Sequence, residues 1–184
     1  MGDPRKAKKK YARPTIQWNA GRIEEEKALT EEFGLKNSRE IWKARTKLRA
    51  IRGNARKLLA GMGSGDEAGQ ILGRVKRYGI LKPVEDREST LDDLLALDVR
   101  DVLDRRLQTR VHKKGLARSM RQARQLIVHG YISINGKKVT VPSYMVPLSE
   151  EESIGYYRKI DVAPKLAAPE PDEKAEKVEG DTDG

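Results

Sequence analysis

Apolar residues recur every three or four positions at Ile41, Ala44, Leu48, Ile51, Ala55 and Leu58, which predicts one long amphipathic helix through "SREIWKARTKLRAIRGNARKLLAG". Upstream, Ile23 to Phe33 is an acidic helical pattern that Gly34 should end. Asn37, with Glu40 three residues on, has the form of a helix start. Gly61 should close the long helix, and Ser64 with Glu67 should cap the next, which carries Ile71, Leu72 and Val75 and stops at Gly79. The glycine-rich "GMGSGDEAG" between them follows a helix rather than a strand and lacks the Gly-Lys-Ser/Thr ending of a phosphate loop, so it reads as punctuation. "LKPVEDREST" is a connector around Pro83, and Thr90 with Asp93 and Asp98 with Asp101 open two more capped helices.

The pattern then changes. Val99, Leu103, Leu107 and Val111 fall at four-residue intervals, predicting one helix up to Gly115, with Arg106, Arg110 and Lys114 on the flank beside that stripe. Ser119 with Gln122 caps a second helix, on which Met120, Ala123, Leu126 and Ile127 share one side, and Arg121, Arg124, Gln125 and His129 the other. After Gly130 the period becomes two. "YISINGKKVTV" alternates strictly, and Asn135-Gly136 is a strong two-residue hairpin signal because both turn positions need positive φ. Ile134 should then face Lys137, and Ile132 should face Val139. Ile132, Ile134, Val139 and Val141 should point inward, and Tyr131, Ser133, Lys138 and Thr140 outward.

The expected fold class is therefore α+β. A basic arm (1–20) precedes a helical domain (21–97), then a small two-helix-and-hairpin domain (98–162) with room for further short strands. The last 22 residues (163–184) carry three Lys against seven Asp and Glu, with three Pro and no aromatic, and read as a disordered acidic tail.

Charge sharpens this picture. The whole chain carries +10, so the tail conceals a body of +14. Six bases lie between Arg5 and Arg13, an arm suited to ordering on nucleic acid with Tyr11 available to stack. Around the long helical stripe lie Lys43, Arg45, Lys47, Arg49, Arg52, Arg56 and Lys57 against one acid, Glu40. From Arg105 to Gly130 there are eight Arg or Lys and no acid, a concentration that costs stability by repulsion unless a polyanion neutralises it. Arg118 sits just before a helix N-terminus, where backbone N–H groups already favour an anion.

"RRLQTRVHKKGLARSMRQARQLIVHGYISINGKKVTVPSY" resembles the S-four-type RNA-binding domain. "EFGLKNSREIWKARTKLRAIRGNARKLL", "KKKYARP" and "LLALDVRDVLDRRLQTRV" extend the likeness to the small-subunit ribosomal protein S-four family, archaeal type, over roughly Lys8 to Tyr156. The resemblance implies early binding to small-subunit (16S) ribosomal RNA in its 5′ domain, ribosomal protein S-five as a neighbour, and a contribution to translational accuracy. Some relatives hold zinc through an N-terminal Cys cluster. This chain has no Cys, so that feature does not carry over.

The expected RNA contacts are phosphate clamps at Arg106, Arg110, Lys113, Lys114, Arg118, Arg121 and Arg124, with Ser119, Gln125, His129, Lys137 and Lys138 adding local bonds. Lys43, Lys47 and Arg49, with Lys8, Lys9, Lys10, Tyr11 and Arg13 of the arm, would grip a second area. No catalytic residue, metal or cofactor is expected. His112 and His129 are the only histidines and have no acid nearby in sequence to orient them. No membrane or small-molecule partner is expected either, since the large apolar residues are wanted by the cores. A stand-alone RNA-binding or ribosome-assembly factor using the same module is the alternative.

Overall fold

The computed structural model describes residues 9–62, 65–81 and 90–158. Lys8, Ser64, the connector around Pro83 and the acidic tail lie outside these residues. The described chain is α+β, with eight helices and a three-stranded antiparallel sheet.

Helix α1 (Ala20–Glu32) starts where the Asn19 side chain accepts the Arg22 N–H, and the chain turns at Gly34, φ 57°. Helix α2 (Ser38–Leu59) is the predicted long helix. Its end at Gly61, φ 73°, is a Schellman closure in which the Met62 N–H reaches the Lys57 carbonyl. Helix α3 (Gly65–Arg77) follows, then α4 (Leu91–Ala96) and α5 (Val99–Asp104), both opened by the expected capping boxes at Thr90/Asp93 and Asp98/Asp101. The buried face of α2, Ile41, Ala44, Leu48 and Ala55, meets Phe33, Val75, Ile80, Leu94, Val102 and Leu103 in a first core. Each fully buried Leu or Ile here contributes about 1.5–3 kcal/mol.

A second core gathers Leu107, Val111, Ala117, Ala123, Ile127, Ile132, Ile134, Val146 and Ile154. Its secondary-structure members come from α6 (Leu107–Lys113), α7 (Met120–Val128), β1 (Ile132–Ile134) and β3 (Ile154–Tyr156), while β2 (Lys137–Lys138) and α8 (Leu148–Glu151) contribute no buried residue. The sheet order is β2-β1-β3. Ile134 pairs with Lys137 across Asn135 (φ 50°) and Gly136 (φ 73°), as the hairpin signal requires.

Three expectations are corrected. The helix predicted from Val99 to Lys114 is two helices broken at Arg105–Arg106. The Leu107 and Gln108 N–H groups donate to the Tyr144 and Pro142 carbonyls, and the Val146 N–H donates to the Arg105 carbonyl. A returning segment thus takes the bonds that would have continued the helix, and Arg106 forms an isolated bridge with Met145. Second, Val141 is exposed rather than inward, because the chain leaves the ladder after Val139 to make that bridge. Third, Ser133 is buried rather than outward: β3 lies beside it in register with Gly155, whose carbonyl accepts the Ser133 hydroxyl at 3.3 Å.

Candidate nucleic-acid interface

Helix α7 presents the least compensated charge. Its N-cap Ser119 hydroxyl accepts the Gln122 N–H at 3.2 Å, while the Gln122 side chain turns back to accept the Arg118 N–H at 2.7 Å. Ala123 and Ile127 are buried, which fixes the helix and turns Arg121, Gln125 and His129 to solvent. Arg118 and Arg121 are exposed and form no ion pair with any described residue. Lys137 and Lys138 are exposed at the hairpin, and the Lys138 stem lies across Gly130, where a Cβ would come within 2.8 Å of it. That Gly, at φ 75°, lets helix and hairpin approach closely.

The other expected clamps are held by acids or carbonyls of the protein itself, so they do not form one open cationic flank. Arg106 is buried and pairs with Glu40, which also binds Arg124 at 2.8 Å. The inner edge of Arg124 reaches Gln108 Oε1 at 3.3 Å. Arg110 pairs with Glu151, which also holds the buried Arg105 at 2.9 Å. Lys113 pairs with Asp104 at 2.6 Å, and Lys114 donates to the carbonyls of Glu152 (2.7 Å) and Ile154 (3.3 Å). The break between α5 and α6 explains much of this, since it rotates Arg105 and Arg106 inward.

Glu40 is the residue that local sequence reading misplaced. Asn37 stands at the N-cap of α2 but its side chain caps nothing, and Glu40 spans to α6 and α7 instead of turning back. Burial would raise the Glu40 carboxyl, but hydrogen bonds and charge from Arg124 and Arg106 outweigh it and hold the group below its usual range. Gln108 was also missed. Its buried amide donates to the Phe33, Gly34 and Met120 carbonyls at 3.2, 3.0 and 2.9 Å, tying α6 to the end of α1 and to α7. Glu40 carried one signal, as the lone acid in a run of seven bases.

The second area is mixed. Lys43, Lys47 and Arg49 are exposed along α2, whereas Arg45 pairs with Glu25 and Glu26, and Arg52 donates to the Leu97 carbonyl. Partial burial, then the charges of Arg106, Lys10 and Lys43, lower the Lys47 ammonium below its usual range. The described arm lies against α2. Tyr11 packs on Trp42, ring centroids 6.0 Å apart, and the Ala12 N–H donates to the Thr46 hydroxyl at 3.1 Å. Tyr11 is thus half-buried beside Trp42, while Lys9, Lys10 and Arg13 are exposed. Among the described residues no group of three His, Cys, Asp or Glu could hold a metal, and no helix is long and apolar enough to cross a membrane.

The model of the S4 domain matches residues 105–152, the stretch that begins at the helix break and ends beside Glu151. Small ribosomal subunit protein uS4 of Methanothermobacter thermautotrophicus is 51% identical over 160 residues, covering 85% of this chain and 91% of that protein. The uS4 proteins of Methanococcus aeolicus and Methanococcus vannielii are 49% and 48% identical over 158 residues, each covering 85% of this chain and 88% and 87% of the relative. Identity of this order across both cores, with the S4 domain in place, makes the chain a member of the uS4 family of small ribosomal subunit proteins.

Proposed function

We propose that this chain is a structural component of the small ribosomal subunit, in the cytoplasm, and not an enzyme. It binds 16S ribosomal RNA early, nucleates assembly of the subunit body, and contributes with ribosomal protein S-five to translational accuracy. The division of labour is an arm over 1–20, a helical RNA-binding domain over 21–97, an S4-type domain over 98–162 and an acidic tail over 163–184. The observation that carries the reading is the set of exposed cations without a described counter-ion, Arg118 and Arg121 on α7, while neighbouring bases of the same run are neutralised internally. Phosphate recognition by Arg is favoured by its planar fork of donors.

The test is sedimentation of cell extract followed by RNA crosslinking. Co-migration with the small subunit, with crosslinks to its RNA through α7 and α2, is expected. A chain that stays at the top of the gradient while still crosslinking RNA would support a stand-alone RNA-binding factor instead. Direct titration adds a magnitude: with six to ten phosphates neutralised, affinity should fall about 10³- to 10⁵-fold between 50 and 200 mM salt. A flat salt response would remove the phosphate mechanism.

A further inference from the structure

The end of the second core is tied to both ends of α7. Strand β3 pairs with β1 up to Tyr156 opposite Ile132, and the Tyr157 N–H then donates to the Tyr131 carbonyl at 2.8 Å. Tyr131 itself closes the end of α7 by donating to the Leu126 carbonyl. At the other end, the Tyr156 hydroxyl donates to the Leu116 carbonyl at 2.6 Å, two residues before Arg118. Residues 159–184 therefore depart from beside α7, a helix whose nine residues span about 14 Å.

The surface at that point is cationic. Arg118, Arg121, Lys137 and Lys138 are exposed and form no ion pair with any described residue. The departing segment has the opposite sign: from Glu170 to Asp183 it carries seven Asp and Glu against two Lys, Lys174 and Lys177. Glu170 is twelve residues beyond Arg158, and twelve residues reach at most about 40 Å. Half that reach already exceeds the length of α7. A tether this short holds the acids near the helix at an effective concentration on the order of millimolar. Single exposed ion pairs are weak, so the contact has to come from several at once, and four cations facing seven acids meet that need.

We propose that the acidic segment 170–183 covers the α7–hairpin face of its own chain when no RNA is bound, pairing with Arg118, Arg121, Lys137 and Lys138, and is displaced when RNA takes that face. The contact stands on the charges and the point of departure, whereas its displacement rests on the RNA-binding reading. As an internal competitor, the segment lowers affinity for a strand at this face by the fraction of chains in which the face is open.

The experiment uses the full chain. It has no Cys, so V178C places a single spin label between Lys177 and Glu179. Amide resonances near the label are broadened. Broadening should concentrate on α7 around Arg118 and Arg121 and on the hairpin at Lys137 and Lys138. It should be strong at about 0.05 M salt, largely gone by about 0.5 M, and lost in R118E/R121E. Even broadening over the surface, or broadening centred on Lys43 and Lys47 of α2, would overturn the proposal. So would broadening seen only between labelled and unlabelled copies in a mixture. In a second arm, the seven acids are amidated in E170Q/D172N/E173Q/E176Q/E179Q/D181N/D183N, with circular dichroism confirming the fold. At about 0.05 M salt this variant should bind a short oligouridine about 3- to 10-fold more tightly than wild type, and the gain should vanish in the R118E/R121E background. An equal gain in both backgrounds would reduce the effect to net charge and overturn the docking. A wild-type chain that shows the expected broadening but fails to bind a transcript of the small-subunit RNA 5′ domain would keep the contact and overturn its displacement by RNA.

Discussion

Replacing Glu40 by Ala removes the one carboxylate among the described residues that pairs with both Arg106 and Arg124. Glu40 and Arg106 side chains are 15% and 7% exposed, so the pair is largely desolvated. Removing one partner of a buried pair leaves an uncompensated charge and costs about 3–5 kcal/mol. Arg124 is 25% exposed and can turn to water, which places this case near the lower end. A loss of about 3 kcal/mol lowers Tm by roughly 6–12 °C for a domain of this size. Urea denaturation of wild type, E40A, R124A and the double variant measures it, and the cycle should show coupling above about 0.5 kcal/mol. The pH dependence has a definite sign. The folded-state pKa of Glu40 is depressed, so its contribution is full above the ordinary value of 4.5 and is lost as pH falls from there through the folded pKa. E40Q should lack that part of the acid dependence. If E40A changes stability by less than about 0.5 kcal/mol, the bridge is screened like a surface pair and the reasoning fails.

R118E/R121E should leave the helical signal and melting temperature near wild type while weakening RNA binding strongly; equal affinity would move the interface off α7. R124E, which sets a second acid against Glu40, should by contrast be destabilised before any RNA is added, and a normal melting curve would contradict the bridge. Gly34→Ala should cost more than about 1 kcal/mol in denaturation, since φ is 57° and its Cβ would stand 2.6 Å from that of Met120. Asn135→Val should destabilise by about 1–2 kcal/mol, because a β-branched residue must hold φ 50° at the hairpin; reduced RNA binding with an unchanged Tm would refute that account.

What could be read from the chain alone was local. Capping pairs such as Asp98/Asp101 and the Asn135-Gly136 turn act within a few residues, and they appear where expected. The break at Arg105–Arg106 was hidden because its cause, the Tyr144 carbonyl, lies far along the chain, while the four-residue apolar spacing runs through undisturbed. The candidate interface divides in the same way. Arg118 and Arg121 could be located from helical phase. That Arg110 and Lys113 would be matched by Glu151 and Asp104 depended on tertiary placement. Glu40 shows the limit most clearly, since the capping arrangement with Asn37 competes with two arginines at sequence separations of 66 and 84.

Those separations set an order of events at birth. Residues of α2 leave the ribosome well before Arg106 and Arg124, and the carbonyls that break the α5–α6 helix come later still. The first core can collapse as a unit during synthesis. Until Arg106 and Arg124 have emerged, however, Glu40 has neither arginine to hold, and until the stretch through Val146 follows them, Leu107 is free to continue the preceding helix. The nascent chain therefore has a straight, uninterrupted helix available to it, and the final segment must remodel that helix to close the seam between the cores.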